Sequence, residues 1–235
     1  LDSTTAKLAT INAADLTGDL TVDANDIAGS VAMTITGGSG DDTLSASVGA
    51  TAKTDVISGG AGNDIIVAGS NGGNGAFLTG GDGNDLFVLT AAAADEGSKD
   101  ANSYYMITDF QAGDLLQLGW YDITGTASAL ASSFTKLDTN LNDNTANFDS
   151  FVSAAMAQIK AENEATWISG EVSGTDDAEG QAIYFNYKGN AYVVVDSGVS
   201  SDGAFVGTDD LVIQLTGINS DNLSFNSDYA TVALI

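Results

Sequence analysis

Aspartate recurs at one fixed position in three glycine-rich nonapeptides of this 235-residue chain. The nonapeptides span residues 37–45, 59–67 and 80–88, and each has Gly at positions 1, 2 and 4, Asp at position 6 and an apolar residue at position 8. The position-6 residues are Asp42, Asp64 and Asp85. Glycine turns leave backbone carbonyls unobstructed, and calcium is bound by carboxylate and carbonyl oxygens. The pattern therefore predicts a row of calcium sites.

Weaker copies of the nonapeptide precede the strong ones, which explains why the strong copies begin 22 and 21 residues apart, at positions 37, 59 and 80. The weak copies span residues 28–36, 50–58 and 71–79. Asp55 stands at position 6 of the second weak copy, but Met33 and Ala76 stand there in the other two. Since Met and Ala side chains offer no oxygen ligand, we expect calcium mainly along the edge formed by the strong copies.

Stacked coils are the elements that would position these turns. The residues around position 8 predict short strands, and one weak and one strong copy together close one coil of a right-handed parallel β-roll, a β-solenoid. The apolar residues then form two inner rows, with Leu44, Ile66 and Phe87 in one and Ile35, Ile57 and Leu78 in the other. The aspartates stack at about 4.8 Å and repel by roughly 3 to 4 kcal/mol at an effective dielectric near 20, which a cation would relieve.

The composition excludes several other classes of protein. The net charge is -26 and only six residues are basic, so a nucleic acid would be repelled. Without Cys or His there is no disulfide, thiolate or imidazole chemistry, and we predict neither a catalytic site nor an organic cofactor. A hydrophobic fraction of 43% is too high for a disordered chain, and no apolar run is long enough to span a membrane.

The repeats over residues 28–88 resemble the RTX (repeats-in-toxin) family. In that family the carbonyls of positions 1 and 3 and the carboxylate of position 6 bind calcium. The resemblance implies a ligand set of Gly37, Ser39, Asp42, Gly59, Ala61, Asp64, Gly80, Asp82 and Asp85. The alternative is a glycine-rich solenoid with solvated aspartate turns and no metal.

The segment at 105–118 is similar to the I-x-D-F-x-x-G-D-x-L-x-L segment that caps RTX rolls, including those of serralysin-type proteases. There the two aspartates belong to the last calcium site. The resemblance therefore makes Asp109 and Asp114 candidate ligands, and a solvent-facing turn is the alternative.

Two regions are predicted for this all-β chain. Residues 1–96 form the β-roll, in which 1–27 are expected to add coils without glycine turns. Residues 97–235 form a β-rich cap with one helix near 148–163, where apolar residues recur every three or four positions. The interior of the first coils is expected to contain Ile11, Leu16, Leu20, Val22 and Ile27. The cap is expected to contain a hairpin of 182–187 with 191–196 and a strand at 211–215.

The C-terminal region looks like that of Gram-negative RTX surface-layer (S-layer) proteins, and its last residues, 228–235, are similar to uncleaved type I secretion signals. This resemblance implies a secreted, calcium-binding structural domain at the bacterial cell surface, with the type I machinery and other copies of the lattice protein as partners. Calcium would drive extracellular folding and lattice assembly. The alternative is the export and folding domain of a secreted enzyme, such as a protease or lipase, or of an adhesin.

Overall fold

Short strands dominate the described part of the chain, and the first ten strands alternate between two sheets that enclose one core. The computed structural model describes residues 8–24, 32–45, 54–68, 75–89, 105–121, 127–129, 133–136, 148, 181–196, 211–226 and 230–235.

The first sheet begins with parallel strands from the predicted roll and ends with strands from the predicted cap. In spatial order it contains β1 (Thr10–Asn12), β3 (Thr34–Thr36), β5 (Asp55–Ala61), β7 (Ala76–Asp82), β9 (Tyr105–Ile107), β15 (Leu211–Leu215), β14 (Asn190–Asp196), β13 (Gln181–Tyr187) and β12 (Ser133–Lys136).

The second sheet is arranged in the same way. In spatial order it contains β16 (Leu223–Asn226), β17 (Thr231–Leu234), β10 (Leu115–Tyr121), β8 (Leu86–Leu89), β6 (Ile65–Ala68), β4 (Thr43–Ser45) and β2 (Thr21–Asp23), and β11 (Ala127–Ala129) pairs with β10. The weak copies thus supply β3, β5 and β7 to one sheet, and the strong copies supply β4, β6 and β8 to the other. This is the parallel β-roll that the nonapeptide pattern predicts.

The two inner rows of apolar side chains are confirmed by the strand register. In the second sheet Leu44 pairs with Ile66 and Ile66 with Phe87. In the first sheet Ile35 pairs with Ile57 and Ile57 with Leu78. All six side chains are fully buried. The rows continue into the C-terminal region, where Leu116 follows Phe87 and Ile107 follows Leu78.

The lead-in forms one further coil, made by β1 and β2. Ile11 pairs with Ile35 and Val22 with Leu44, so both extend the inner rows, although they are only half-buried at this end of the roll. The prediction is wrong for Leu16, whose side chain is 41% exposed. Leu16 lies in the turn between the two strands, where its carbonyl accepts the Ser39 N–H at 2.9 Å. Ile27 lies outside the described residues.

The strands of the predicted cap extend the two sheets of the roll. β15 pairs with β9 in one sheet and β17 pairs with β10 in the other. The predicted hairpin is confirmed as β13 and β14, joined by Lys188 and Gly189, whose positive φ angles of 48° and 82° are typical of a type I′ turn. Phe148 is helical and its ring lies 4.8 Å from that of Tyr192, but the rest of the predicted helix near 148–163 lies outside the described residues. The boundary at residue 96 stays a prediction.

Aromatic side chains close the core at the C-terminal end. The Phe225 ring lies 4.0 Å from that of Tyr184 and 4.7 Å from that of Phe134. Lys136 and Asp221 form an exposed ion pair beside them. In the part of the chain described above, no helix has the length and apolar character needed to cross a membrane.

Two phenylalanines in neighbouring strands test whether the inner rows hold the roll together. Phe87 in β8 is fully buried, whereas Phe77 in β7 points outward and is 41% exposed. We expect Phe87→Ala to lower the free energy of unfolding by about 3 to 5 kcal/mol and the matched control Phe77→Ala by less than about 1 kcal/mol. Denaturant unfolding in calcium-containing buffer measures both, and equal losses would contradict the assignment of inner and outer rows.

Candidate calcium-binding turns

A ladder of buried aspartates runs along the edge of the roll formed by the strong copies. Asp42, Asp64 and Asp85 immediately precede β4, β6 and β8, and each is at most 2% exposed. The Oδ1 atom of each accepts a backbone N–H from the preceding coil: Leu20 donates to Asp42 at 2.8 Å, Asp42 to Asp64 at 2.8 Å and Asp64 to Asp85 at 2.9 Å. The carboxylates are thus fixed in a row, one coil apart.

The two candidates from the segment after the repeats both contact the last coil. Asp114 is 1% exposed and continues the ladder, since its Oδ1 accepts the Asp85 N–H at 3.0 Å. Asp109 is half-buried and accepts the N–H groups of Gly80 at 3.0 Å and Gly81 at 2.8 Å through its two oxygens. Asp114 therefore does not face the solvent, whereas Asp109 stays partly exposed, and a role for either residue in binding calcium stays a prediction.

The second carboxylate oxygens of the ladder differ in their partners. Oδ2 of Asp42 accepts the Gly38 N–H at 2.7 Å, and Oδ2 of Asp114 accepts the Gln111 N–H at 2.9 Å. Oδ2 of Asp64 and Oδ2 of Asp85 are buried and have no hydrogen-bond partner. A buried polar atom left unpaired costs about 1 to 3 kcal/mol, and more when it is charged.

Burial destabilises the charged form of three ladder carboxylates. The pKa of Asp64 rises to about 6, mainly because of burial; the hydrogen bond from the Asp42 N–H opposes the rise, and the carboxylates of Asp85, Asp42 and Asp41 add to it. Burial likewise raises the pKa of Asp85 and of Asp114, each opposed by the backbone hydrogen bond to its Oδ1. A bound cation would favour the ionised carboxylates and reverse this effect.

Glycine at position 1 lets the carboxylates of Asp42, Asp64 and Asp85 lie close against the backbone. A Cβ added to Gly59 would overlap Oδ2 of Asp64 and lie 2.7 Å from the carbonyl oxygen of Gly80 in the next coil. One added to Gly37 would overlap both Oδ2 of Asp42 and the Gly59 carbonyl oxygen. A carboxylate oxygen from one coil and the position-1 carbonyl from the next therefore converge at the same glycine.

The position-3 residues occupy equivalent places in successive turns. Ala61 in β5 pairs with Asp82 in β7, and the Asp82 carbonyl accepts the Gly62 N–H at 2.9 Å. The Ser39 N–H donates to the carbonyl of the preceding turn. A carbonyl oxygen has two lone pairs, so one hydrogen bond leaves the Asp82 carbonyl able to bind an ion.

This donor set fits calcium. Within the described ranges, no group of three or more carboxylates gathers in one place. An ion in these turns would thus be bound by single carboxylates and by backbone carbonyls from adjacent coils. Calcium accepts six to eight oxygen ligands in flexible geometry, whereas magnesium requires a near-ideal octahedron. The unpaired Oδ2 atoms, and the carbonyl oxygens that converge with carboxylate oxygens at Gly37 and Gly59, both match an oxygen-coordinated cation.

A second ladder, at position 5, was not predicted from the sequence. Its members are Asp19, Asp41, Asn63 and Asn84. Each of the first three side chains accepts the N–H of the next member, at 2.9, 2.7 and 2.9 Å. This second ladder is exposed. Each of its side chains accepts an N–H from the next coil, whereas each carboxylate of the buried ladder accepts an N–H from the preceding coil. The signal was an Asp or Asn at position 5 of every strong copy, a position that the nonapeptide pattern leaves unspecified.

The opposite edge of the roll lacks a comparable row in the ranges that the structure covers. Asp55 is 2% exposed, and its Oδ1 accepts the Met33 N–H at 2.7 Å. Met33 and Ala76, at the equivalent positions of the neighbouring coils, are buried apolar residues. Calcium binding along only one edge stays a prediction.

Residues 34–51 and 50–76 match the family model of the RTX calcium-binding nonapeptide repeat. The match includes the first two strong copies, and the third, at 80–88, lies beyond it. No curated protein matches the chain. The chain thus carries RTX repeats, which bind calcium.

The raised pKa of Asp64 predicts how the calcium-free protein responds to pH. A carboxyl whose pKa rises from 3.8 unfolded to about 6 folded stabilises the fold when protonated, and this contribution is lost as the pH rises through about 6. In chelator we expect a larger folded fraction, and where a transition is seen a higher melting temperature, at about pH 5 than at about pH 7.5, with up to about 3 kcal/mol from Asp64.

The Asp64→Asn variant should show a smaller change with pH, since its amide does not titrate. Asp15→Asn is the control because Asp15 is exposed in a turn. Circular dichroism melts at the two pH values measure the difference. The assignment would be wrong if the two variants showed the same dependence on pH.

Proposed function

We propose that this chain is the calcium-binding structural domain of a type I secreted bacterial S-layer protein, in which calcium drives folding outside the cell and then lattice assembly. The observation that carries the proposal is the row of buried carboxylates, two of which have an unpaired oxygen. Such a row is unfavourable without a cation because both burial and mutual repulsion act against the charged state.

The residues that would hold calcium come from the turns of the strong copies and from the segment that follows them. They are Gly37, Ser39, Asp42, Gly59, Ala61, Asp64, Gly80, Asp82, Asp85, Asp109 and Asp114. The aspartates would supply carboxylates, and the residues at positions 1 and 3 would supply carbonyls. A bound cation would supply the positive charge that these carboxylates lack, and the residues that would hold it come from adjacent coils.

Secretion explains why a domain would depend on calcium in this way. RTX repeats are typical of secreted extracellular proteins. Type I export carries an unfolded chain, and free calcium is scarce in the cytosol but reaches millimolar levels outside the cell. The weak affinities of extracellular calcium modules fall between these concentrations. Repulsion between aspartates would thus keep the chain unfolded for export, and calcium would stabilise the fold after release.

The distribution of charge supports a role in a lattice. A net charge of -26 makes copies of the chain repel one another unless cations screen or bridge them. The outward row of the first sheet nevertheless contains no charged residue from β1 to β9: it consists of Thr10, Thr34, Val56, Phe77 and Met106. Calcium bound at the acidic edge would lower the repulsion and let uncharged faces approach.

A second candidate is the export and folding domain of a secreted protease, lipase or adhesin. The segment that contains Asp109 and Asp114 favours it, since this segment resembles the cap of serralysin-type rolls and both carboxylates contact the last coil. The repeat domain itself would have the same structural role in either case, with any catalytic site elsewhere in the protein.

Folding that depends on calcium is the first prediction of this proposal. In chelator at neutral pH we expect a largely unfolded spectrum by circular dichroism, and a β-rich spectrum at sub-millimolar to millimolar calcium. Magnesium at the same concentration should restore little of the signal. A β-rich spectrum with an unchanged melting temperature in excess chelator would refute the calcium-dependent fold.

Assembly that depends on calcium separates the two candidate functions. We expect particle size, followed by light scattering, to grow as calcium is added to folded protein, with sodium chloride at matched ionic strength as the control. A lattice protein should associate in calcium beyond the effect of the salt. A chain that folds with calcium but stays monomeric at high protein concentration would favour the domain of a secreted enzyme.

A further inference from the structure

The outer face of the first sheet divides into a covered half and an open half. In the covered half, the outward residues Phe185, Tyr192 and Gln214 are at most 5% exposed, and the Phe148 ring lies 4.8 Å from that of Tyr192. In the open half, from β1 to β9, none of the outward residues of the strands is buried. The face is thus a packing surface within the chain over one half and is left open over the other.

Two outward rows make up this open half, which we call the open strip. The first row contains Val56 and Phe77, which pair in register and are 40% and 41% exposed. The second row consists of Asn12, Thr36, Ser58, Thr79 and Thr108. Neither row contains a charged residue, although the chain has 32 acidic residues. An exposed strip that is partly apolar and free of charge is typical of a surface that binds a partner.

The second sheet does not offer an equivalent surface. Its outward residues Ser45, Val88 and Gln117 are at most 7% exposed, so this row is already covered, and Asp23 stands at its end. Leu115, in the neighbouring outward row, is 42% exposed. It provides a control position on the opposite side of the roll.

The charge of the chain limits what the open strip can bind. A basic partner would be attracted instead to the exposed carboxylates of the turns, such as Asp19, Asp41 and Asp82. An acidic partner can approach closely only where carboxylates are absent, because like charges brought together are strongly unfavourable. A second copy of this chain, with its net charge of -26, is such a partner, and its own open strip is the surface that meets the requirement.

We infer that the open strip is a contact between two copies of this chain, packed face to face about a two-fold axis. In such a contact the same residues lie on both sides, so an uncharged surface meets an uncharged surface. This inference rests on the proposed lattice function, since it names the surface through which the copies meet.

The size of the open strip predicts a weak contact. Five strands at about 4.8 Å and three residues at about 3.3 Å give a face of about 24 by 10 Å, well below the roughly 800 Å² per partner of a stable complex. We therefore expect reversible association that needs high protein concentration, or several contacts acting together as in a lattice. Calcium at the acidic turns should strengthen the contact, because it lowers the repulsion between the copies.

Two variants with the same net charge test the contact. Phe77→Glu places a carboxylate in the open strip, and Leu16→Glu places one at an equally exposed position, 41% in both cases, outside the strip. Analytical ultracentrifugation in millimolar calcium measures the dissociation constant of the pair. We expect Phe77→Glu to raise it at least about tenfold and Leu16→Glu to leave it within about threefold. Circular dichroism in calcium checks the fold, and Thr34→Glu replaces Phe77→Glu if that variant does not fold.

Single cysteines locate the contact, because the chain has no cysteine of its own. Sheets that pack face to face lie about 10 Å apart, so a bis-maleimide linker of about that length reports the contact. A two-fold axis through the open strip brings one of its positions close to the same position of the other copy. We expect covalent dimers in calcium from at least one of Thr34→Cys, Val56→Cys and Phe77→Cys, and none from Leu115→Cys.

The outcomes separate the inference from the proposed function. Equal association of the two glutamate variants, or cross-linking from Leu115→Cys but from no position of the open strip, would place the contact elsewhere and leave the lattice function in place. A chain that folds in calcium but stays monomeric at high concentration would overturn the inference and the lattice function together, and would leave calcium binding in place.

Discussion

Negative charge buried at one strand spacing is the constraint on which the roll depends. Each coil places a carboxylate directly above the carboxylate of the coil before it, because the residue after each of these aspartates starts a strand of the second sheet. The strand pairing that builds the core therefore also brings like charges together. Hydrogen bonds from the backbone relieve part of this cost, and glycine at position 1 brings a carbonyl oxygen of the next coil beside the carboxylate, where a bound ion would relieve the rest.

The two edges of the roll differ in whether buried carboxylates are stacked in successive coils. On the edge of the weak copies, Met33 and Ala76 occupy the positions that flank Asp55 in the stack, so this edge contains one described carboxylate among buried apolar groups. That edge resembles an ordinary protein core. The other edge concentrates buried charge, so we expect its stability to depend on protons and on calcium, and the stability of the edge of the weak copies to depend on neither.

The repeat predicted everything that follows directly from its period. Stacking coils of fixed length places every position 8 in an inner row and position 6 of every strong copy at one edge, which is why Phe87 lies in the predicted row and Asp64 at the predicted edge. The exposure of Leu16 was not foreseen, because alternation of apolar residues does not reveal that the chain turns there. The hydrogen-bond partners of the Oδ2 atoms could not be predicted from the sequence either. They depend on the direction in which the backbone N–H of a glycine such as Gly38 points. Gln111, whose side-chain amide donates to the Gly81 carbonyl at 2.7 Å, showed no sequence signal.

Anomalous diffraction from crystals grown in calcium would test the central claim most directly, because it locates the ions without relying on any variant. We expect anomalous peaks about 2.4 Å from Oδ2 of Asp64 and Oδ2 of Asp85, with carbonyl oxygens of the adjacent coil completing the coordination. A well-ordered roll in saturating calcium whose Asp64 and Asp85 oxygens contact only water or N–H groups, with no anomalous peak, would contradict it.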